Sequence, residues 1–125
     1  MSQRVLLVED EIMILMVVEM AFHEAGFEVV VASDGQMGLE VARAKAVDAI
    51  VTDYMMPGLD GIAMLTALRS EGIDVPAIMV TAISRAQLDV GETAPFDRHM
   101  VKPVDEDELV EAVRDLLRQV VPSEA

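Results

Sequence analysis

Apolar and polar positions fall into short blocks with two alternating periods. Val5-Leu6-Leu7-Val8 is a continuous apolar run that stops abruptly at Glu9-Asp10-Glu11, as expected of a strand buried on both faces. Residues 11–25 follow with helical spacing and Gly26 as the C-cap. Phe27–Val31 reads as a second strand. Ser33-Asp34-Gly35 is a turn and helix start, with a helix predicted over Gln36–Ala46. Ala49–Thr52 is a third strand ending at Asp53. Pro57-Gly58-Leu59-Asp60-Gly61 is a loop whose Asp60 caps a helix running to about Ser70. Val75–Val80 is a fourth strand, with Pro76 tolerated near its start. In Ser84–Pro95, a β-branched residue, a glycine and a proline follow in quick succession, which predicts a short or irregular, mobile fourth helix. Arg98–Val101 is a fifth strand. Asp105–Val120 is an amphipathic last helix with acids in its first turn, where the helix dipole favours them, and Pro122 ends it.

Strand and helix alternate five times. This order predicts an α/β fold: a doubly wound parallel sheet with helices on both faces. The 125 residues, 53% of them hydrophobic, fit one domain over 1–125 with its core in about 3–120. No apolar run is long enough to span a bilayer. No cleavable leader is visible, because Met1-Ser2-Gln3-Arg4 leads straight into a strand-like run. The absence of cysteine removes disulfides and thiolate metal sites. A cytoplasmic location is the expectation. The net charge of −14, from 23 acids against 9 basic residues, argues against direct nucleic-acid binding, which requires neutralised phosphates.

In open parallel sheets the binding crevice lies at the carboxyl ends of the strands. The residues predicted there are Glu9 and Asp10 after strand one, Asp53 after strand three, Thr81 after strand four and Lys102-Pro103 after strand five. Three converging carboxylates repel one another, and a hard dication relieves them. Carboxylates, a carbonyl and waters suit Mg²⁺. Lys102 adds a cation for Asp53 or for a phosphoryl oxygen. A carboxylate so placed can act as a nucleophile and form an aspartyl phosphate, and Thr81 offers a hydroxyl that would engage only after phosphorylation.

The runs Val5-Leu6-Leu7-Val8-Glu9-Asp10-Glu11, Asp53-Tyr54-Met55-Met56-Pro57-Gly58-Leu59-Asp60-Gly61, Val80-Thr81-Ala82 and Lys102-Pro103 resemble the receiver domains of two-component signalling. The resemblance covers nearly the whole chain, with all four signatures in order. It implies the flavodoxin-like three-layer sandwich of five strands in order 2-1-3-4-5. It implies Asp53 as phosphoacceptor, Asp10, Asp53 and the Met55 carbonyl as Mg²⁺ ligands, and Glu9 acting through a water. Thr81 and Lys102 would bind the phosphoryl group, and the Lys102–Pro103 peptide would be cis. The implied partner is a histidine kinase or histidine phosphotransfer protein. The chain would be a signalling phosphoacceptor rather than a turnover enzyme: a monomer, with dimerisation on phosphorylation as an alternative.

Three features depart from the pattern. Receivers carry Tyr or Phe where this chain has His99, which is expected to serve as the switch ring or to be a surface histidine at the strand edge. Helix one is unusually apolar. Some of Ile14, Leu15, Val18 and Phe22 should therefore reach solvent and form, with Pro57 and Pro103, a surface for docking a partner's helical bundle. Met55 stands beside the pocket mouth, where its side chain would slow hydrolysis of the phosphoryl group. The runner-up function is a phosphate-independent pseudo-receiver, disfavoured by the intact set Glu9, Asp10, Asp53, Thr81 and Lys102. A flavin binder would want a Gly- or Ser/Thr-rich phosphate loop after strand one. A phosphomonoesterase would want a second Asp where Met55 stands.

Overall fold

In the computed structural model, which describes residues 2–83, 87–88 and 94–119, strands and helices alternate along the chain as far as the fourth strand, after which the next described element is the fifth strand. They are β1 Arg4–Val8, α1 Ile12–Glu24, β2 Glu28–Ala32, α2 Gly35–Ala44, β3 Ala49–Asp53, α3 Gly61–Ser70, β4 Ala77–Thr81, β5 Arg98–Val101 and α4 Glu106–Gln119. The strands form one parallel sheet in the order β2-β1-β3-β4-β5. The chemistry-bearing residues therefore collect at one edge, because every strand ends on the same side.

The burial of each strand follows its place in the sheet. The inner strands β3 and β4 are buried throughout, as is β1 after Arg4. The outer strands β2 and β5 are only partly covered. Alternate residues of one strand serve two cores. Val5 and Leu7 pack with Leu15, Phe22, Leu109 and Val113 under α1 and α4. Leu6 and Val8 pack with Leu39, Met64 and Leu68 under α2 and α3. Phe22 and Phe27 meet edge-on at 5.3 Å, which fixes the turn from α1 into β2. Gly26 ends α1 at a φ of +95°, a conformation that costs glycine little.

Most boundaries predicted from sequence move by one or two residues. The fourth strand starts at Ala77 rather than Val75; Pro76 before it lacks an N–H for the ladder. The second helix stops at Ala44 because Lys45 is already extended. Asp60 caps α3 by accepting from the Ala63 N–H at 2.7 Å, and Asp34 does the same for Met37 in α2. The irregular helix expected within Ser84–Pro95 falls largely outside the described residues.

Helix α1 meets one expectation only in part: of Ile14, Leu15, Val18 and Phe22, Ile14 is exposed and Val18 partly so. Leu15 and Phe22 do not reach solvent; both are buried. Together with Val18 they form the stripe that faces the sheet at positions i, i+3 and i+7. The apolar residues open to solvent are instead Ile12, Met13, Met16, Val17 and Met20, with Ile14 at the margin.

Gly61 is where the fold grips the site. A Cβ there would lie 2.2 Å from the Asp53 carbonyl oxygen, so only glycine lets α3 close against the end of β3. Gly61→Ala is expected to destabilise the protein by about 1–3 kcal/mol, the usual cost of forced overpacking. A urea-unfolding midpoint equal to that of the wild type would show that the contact relaxes freely.

Candidate functional site

Glu9, Asp10, Asp53, Thr81 and Lys102 meet at the carboxyl edge of the sheet. Glu9 follows β1, Asp53 ends β3 and Thr81 ends β4; all three are buried, whereas Asp10 is exposed. Carboxylate oxygens of Glu9, Asp10 and Asp53 lie within 4.8 Å of one another. Lys102, just past β5, spans the cluster: its Nζ donates to Asp53 Oδ2 at 2.9 Å and to Glu9 Oε1 at 3.3 Å. The other oxygen of Glu9 accepts from the Glu11 N–H at 3.1 Å, which ties this acid to the start of α1. The Lys102–Pro103 peptide is cis, and the Lys102 N–H donates to the Thr81 carbonyl at 2.9 Å.

Asp53 is held from behind. The Thr52 hydroxyl donates to the Asp53 carbonyl at 2.9 Å. The next peptide is pinned on both sides: Tyr54 N–H donates to the Val80 carbonyl at 3.2 Å, and Gly61 N–H to the Tyr54 carbonyl at 2.8 Å. Thr52 and Gly61 were not singled out from sequence. The one signal available for Thr52 was a hydroxyl interrupting an apolar strand next to the candidate nucleophile.

The other sequence-predicted residues are placed as follows. Thr81 Oγ1 accepts from the Ile83 N–H at 3.2 Å. The Ile83 carbonyl lies 3.1 Å from His99 Nε2. His99 is half-buried, and its Nδ1 is the one buried side-chain N or O atom among the described residues without a hydrogen-bond partner. The ring is therefore packed inward against the loop after β4. The Met55 side chain is exposed beside the pocket. Of the residues assigned to docking, Ile14, Leu15, Val18 and Pro103 line a single cavity that reaches Asp53. Pro57 stands apart, exposed in the loop between β3 and α3.

Charge balance at the site is incomplete. Burial raises the pKa of Glu9, and the neighbouring Asp53 charge pushes it further up against the opposing pull of Lys102. Burial alone would lower the pKa of Lys102, but its hydrogen bond to Asp53 and the two carboxylate charges outweigh this and leave it raised. The cluster thus holds more negative charge than its lysine satisfies. Hard oxygen ligands with an excess of negative charge are the donor set that takes a small dication.

A doubly wound sheet bearing an acid cluster and a bridging lysine at its carboxyl edge is built for phosphoryl chemistry on a carboxylate. The sequence comparisons agree: residues 5–114 match the profile of the response regulator receiver domain, and the chain belongs to that family. It is 42% identical over 119 residues to the transcriptional regulatory protein PrrA of Mycobacterium tuberculosis, a match covering 94% of this chain and 51% of that protein. The chain thus spans about half the length of the curated relatives it matches. Among solved structures it resembles the receiver domain of the Francisella response regulator 1452, with a TM-score of 0.89, 33% identity and coverage of 96% and 100% of the two chains. It also resembles the response regulator TrrA of Thermotoga maritima in complex with Mg²⁺-BeF, with a TM-score of 0.83, 30% identity and coverage of 91% and 98%.

The raised pKa of Glu9 has a consequence for stability. A carboxyl whose folded pKa lies above its unfolded value stabilises the fold at low pH, and that contribution is lost as pH rises through the folded pKa. Without divalent cations, Glu9→Gln is therefore expected to raise the melting temperature at neutral pH by a few degrees and to leave it almost unchanged at acid pH. A lower melting temperature for the variant at neutral pH would mean that the bond to Lys102 outweighs the repulsion.

Proposed function

We propose that Asp53 is the phosphoacceptor of a two-component relay and that Thr81, Ile83 and His99 report its state to β5. The observation that carries this reading is the 2.9 Å contact of Lys102 with Asp53 inside a cluster of three carboxylates, two of them buried. A carboxylate oxygen of Asp53 attacks phosphorus, the bond from phosphorus to the donor's histidine nitrogen breaks, and its electron pair leaves on the imidazole. Lys102 neutralises charge on the transferring group. Thr52, Gly61 and the pinned Tyr54 peptide keep the nucleophile still while this happens. Asp10, Asp53 and the Met55 carbonyl would hold Mg²⁺, with Glu9 reaching it through a water, and the bound cation would spread the negative charge of the phosphoryl oxygens. The donor set supports this assignment, as does the kinship with a protein solved with Mg²⁺-BeF.

Thr81 supplies the switch. Its hydroxyl oxygen now accepts from Ile83. A movement of the Thr81 side chain that carries its hydroxyl onto a phosphoryl oxygen would draw Oγ1 away from the Ile83 N–H. The Ile83 carbonyl is the partner of His99, so release of Ile83 loosens the ring that packs on β5. The donor class is a histidine kinase or histidine phosphotransfer protein. The chain acts as a cytoplasmic signalling switch rather than a turnover enzyme, as a monomer before phosphorylation, and without contacting nucleic acid itself. Its charge and the lack, among the described residues, of a helix long and apolar enough to cross a membrane support this reading.

Intact mass after incubation with a small-molecule phosphodonor tests the chemistry. The wild type is expected to gain one phosphoryl group in a Mg²⁺-dependent manner, and Asp53→Asn none. No gain under conditions that label another receiver would favour the phosphate-independent alternative. Thr81→Ala is expected to accept the group but to leave the ring resonances of His99 unmoved on phosphorylation. Wild-type-like shifts in that variant would remove Thr81 from the path.

A further inference from the structure

Between the first half of α1 and the segment joining β5 to α4 lies a cavity of ≈ 560 Å³. Space of that size is typical of sites for small organic ligands, and it opens to solvent beside Met13 and Val17, exposed residues that also line it. Its inner wall is Leu7 and Val80 of the sheet, and its sides are Val18 of α1 and Leu109 of α4. Nothing along these walls can bond a polar body, so the space suits hydrocarbon.

One end of the cavity is different. Glu9 and Asp53 line it, against the single ammonium of Lys102. Lys102 already donates to both Glu9 and Asp53, so its one positive charge faces two carboxylates. An anionic head placed there would add to the repulsion. A neutral head would leave the excess negative charge uncompensated, whereas a cation would offset it.

We propose that this cavity binds a small amphiphilic amine, with the hydrocarbon body between α1 and α4 and the ammonium at Glu9 and Asp53. Such a ligand places a second cation where the phosphoacceptor site takes its own. It competes with a divalent cation and lowers phosphorylation of Asp53. That regulatory consequence rests on the function proposed above; the binding does not.

The test is a titration of the full chain, without phosphodonor, with hexylamine, hexanol and hexanoate at matched ionic strength, followed by methyl NMR. Hexylamine is expected to bind saturably and to shift the methyls of Leu7, Val18 and Leu109. Hexanol should bind several-fold more weakly and hexanoate not measurably, and excess Mg²⁺ should weaken hexylamine several-fold. Val18→Phe fills the cavity and is expected to abolish binding while unfolding cooperatively. Should that variant not fold, Ile14→Phe at the cavity mouth takes its place. The proposal is overturned by an absence of saturable hexylamine binding, by hexanoate binding as tightly, or by undiminished binding to the folded, cavity-filled variant; binding that Mg²⁺ leaves unchanged overturns only the competition, which rests on the function proposed above. Failure of Asp53 to accept phosphate with no amine present is read separately and bears only on the function proposed above.

Discussion

Two buried carboxylates share one lysine beside an exposed third, and most of the structure around them exists to make that tolerable. Glu9, Asp10 and Asp53 come from two adjacent strands whose parallel alignment brings their ends together. Lys102 arrives from the far edge of the sheet and reaches across to both buried acids. Without it the uncompensated charge would oppose folding, since buried charge must be paired. With it the balance is still short, so a cation held at this edge would relieve the repulsion that the fold otherwise bears.

Much of this was legible in the sequence because the signals were of the strong kind. Three short runs, the apolar Val5–Val8 and Val75–Val80 and Ala49–Thr52 with its one hydroxyl, read as strands. Each stops at a polar residue that has no place in a core, which marked Glu9, Asp53 and Thr81 at once. Strand order was legible only through the resemblance to receivers, since alternation alone fixes parallel pairing and not neighbours. Element ends were less legible, as the start of β4 shows: Pro76 is buried and reads as part of an apolar run, but cannot donate to the ladder.

What the sequence hid were relations that depend on three dimensions. In α1 nearly every position from Ile12 to Val18 is apolar, so composition could not set the helix phase. Docking on the sheet selected Leu15, Val18 and Phe22 and left Met13, Met16 and Met20 outside. Thr52 and Gly61 act on the main chain of Asp53 rather than its side chain, a role that leaves no spacing signature. The pairing of His99 with Ile83 joins residues from separate elements; only the unusual residue type at position 99 drew notice to it.

The grip on the Asp53 backbone divides the site mechanically. On one side, Thr52, Tyr54 and Gly61 lock the nucleophile into the sheet and into α3. On the other, Thr81 is tied to a loop residue through one hydrogen bond of 3.2 Å. Any displacement that follows chemistry at Asp53 must therefore be absorbed by the half of the molecule that contains the ends of β4 and β5. A lineage that rewrites this half changes what the protein says without changing how it is spoken to. The two halves can accumulate substitutions under separate selection, which would let one receiving chemistry serve many outputs.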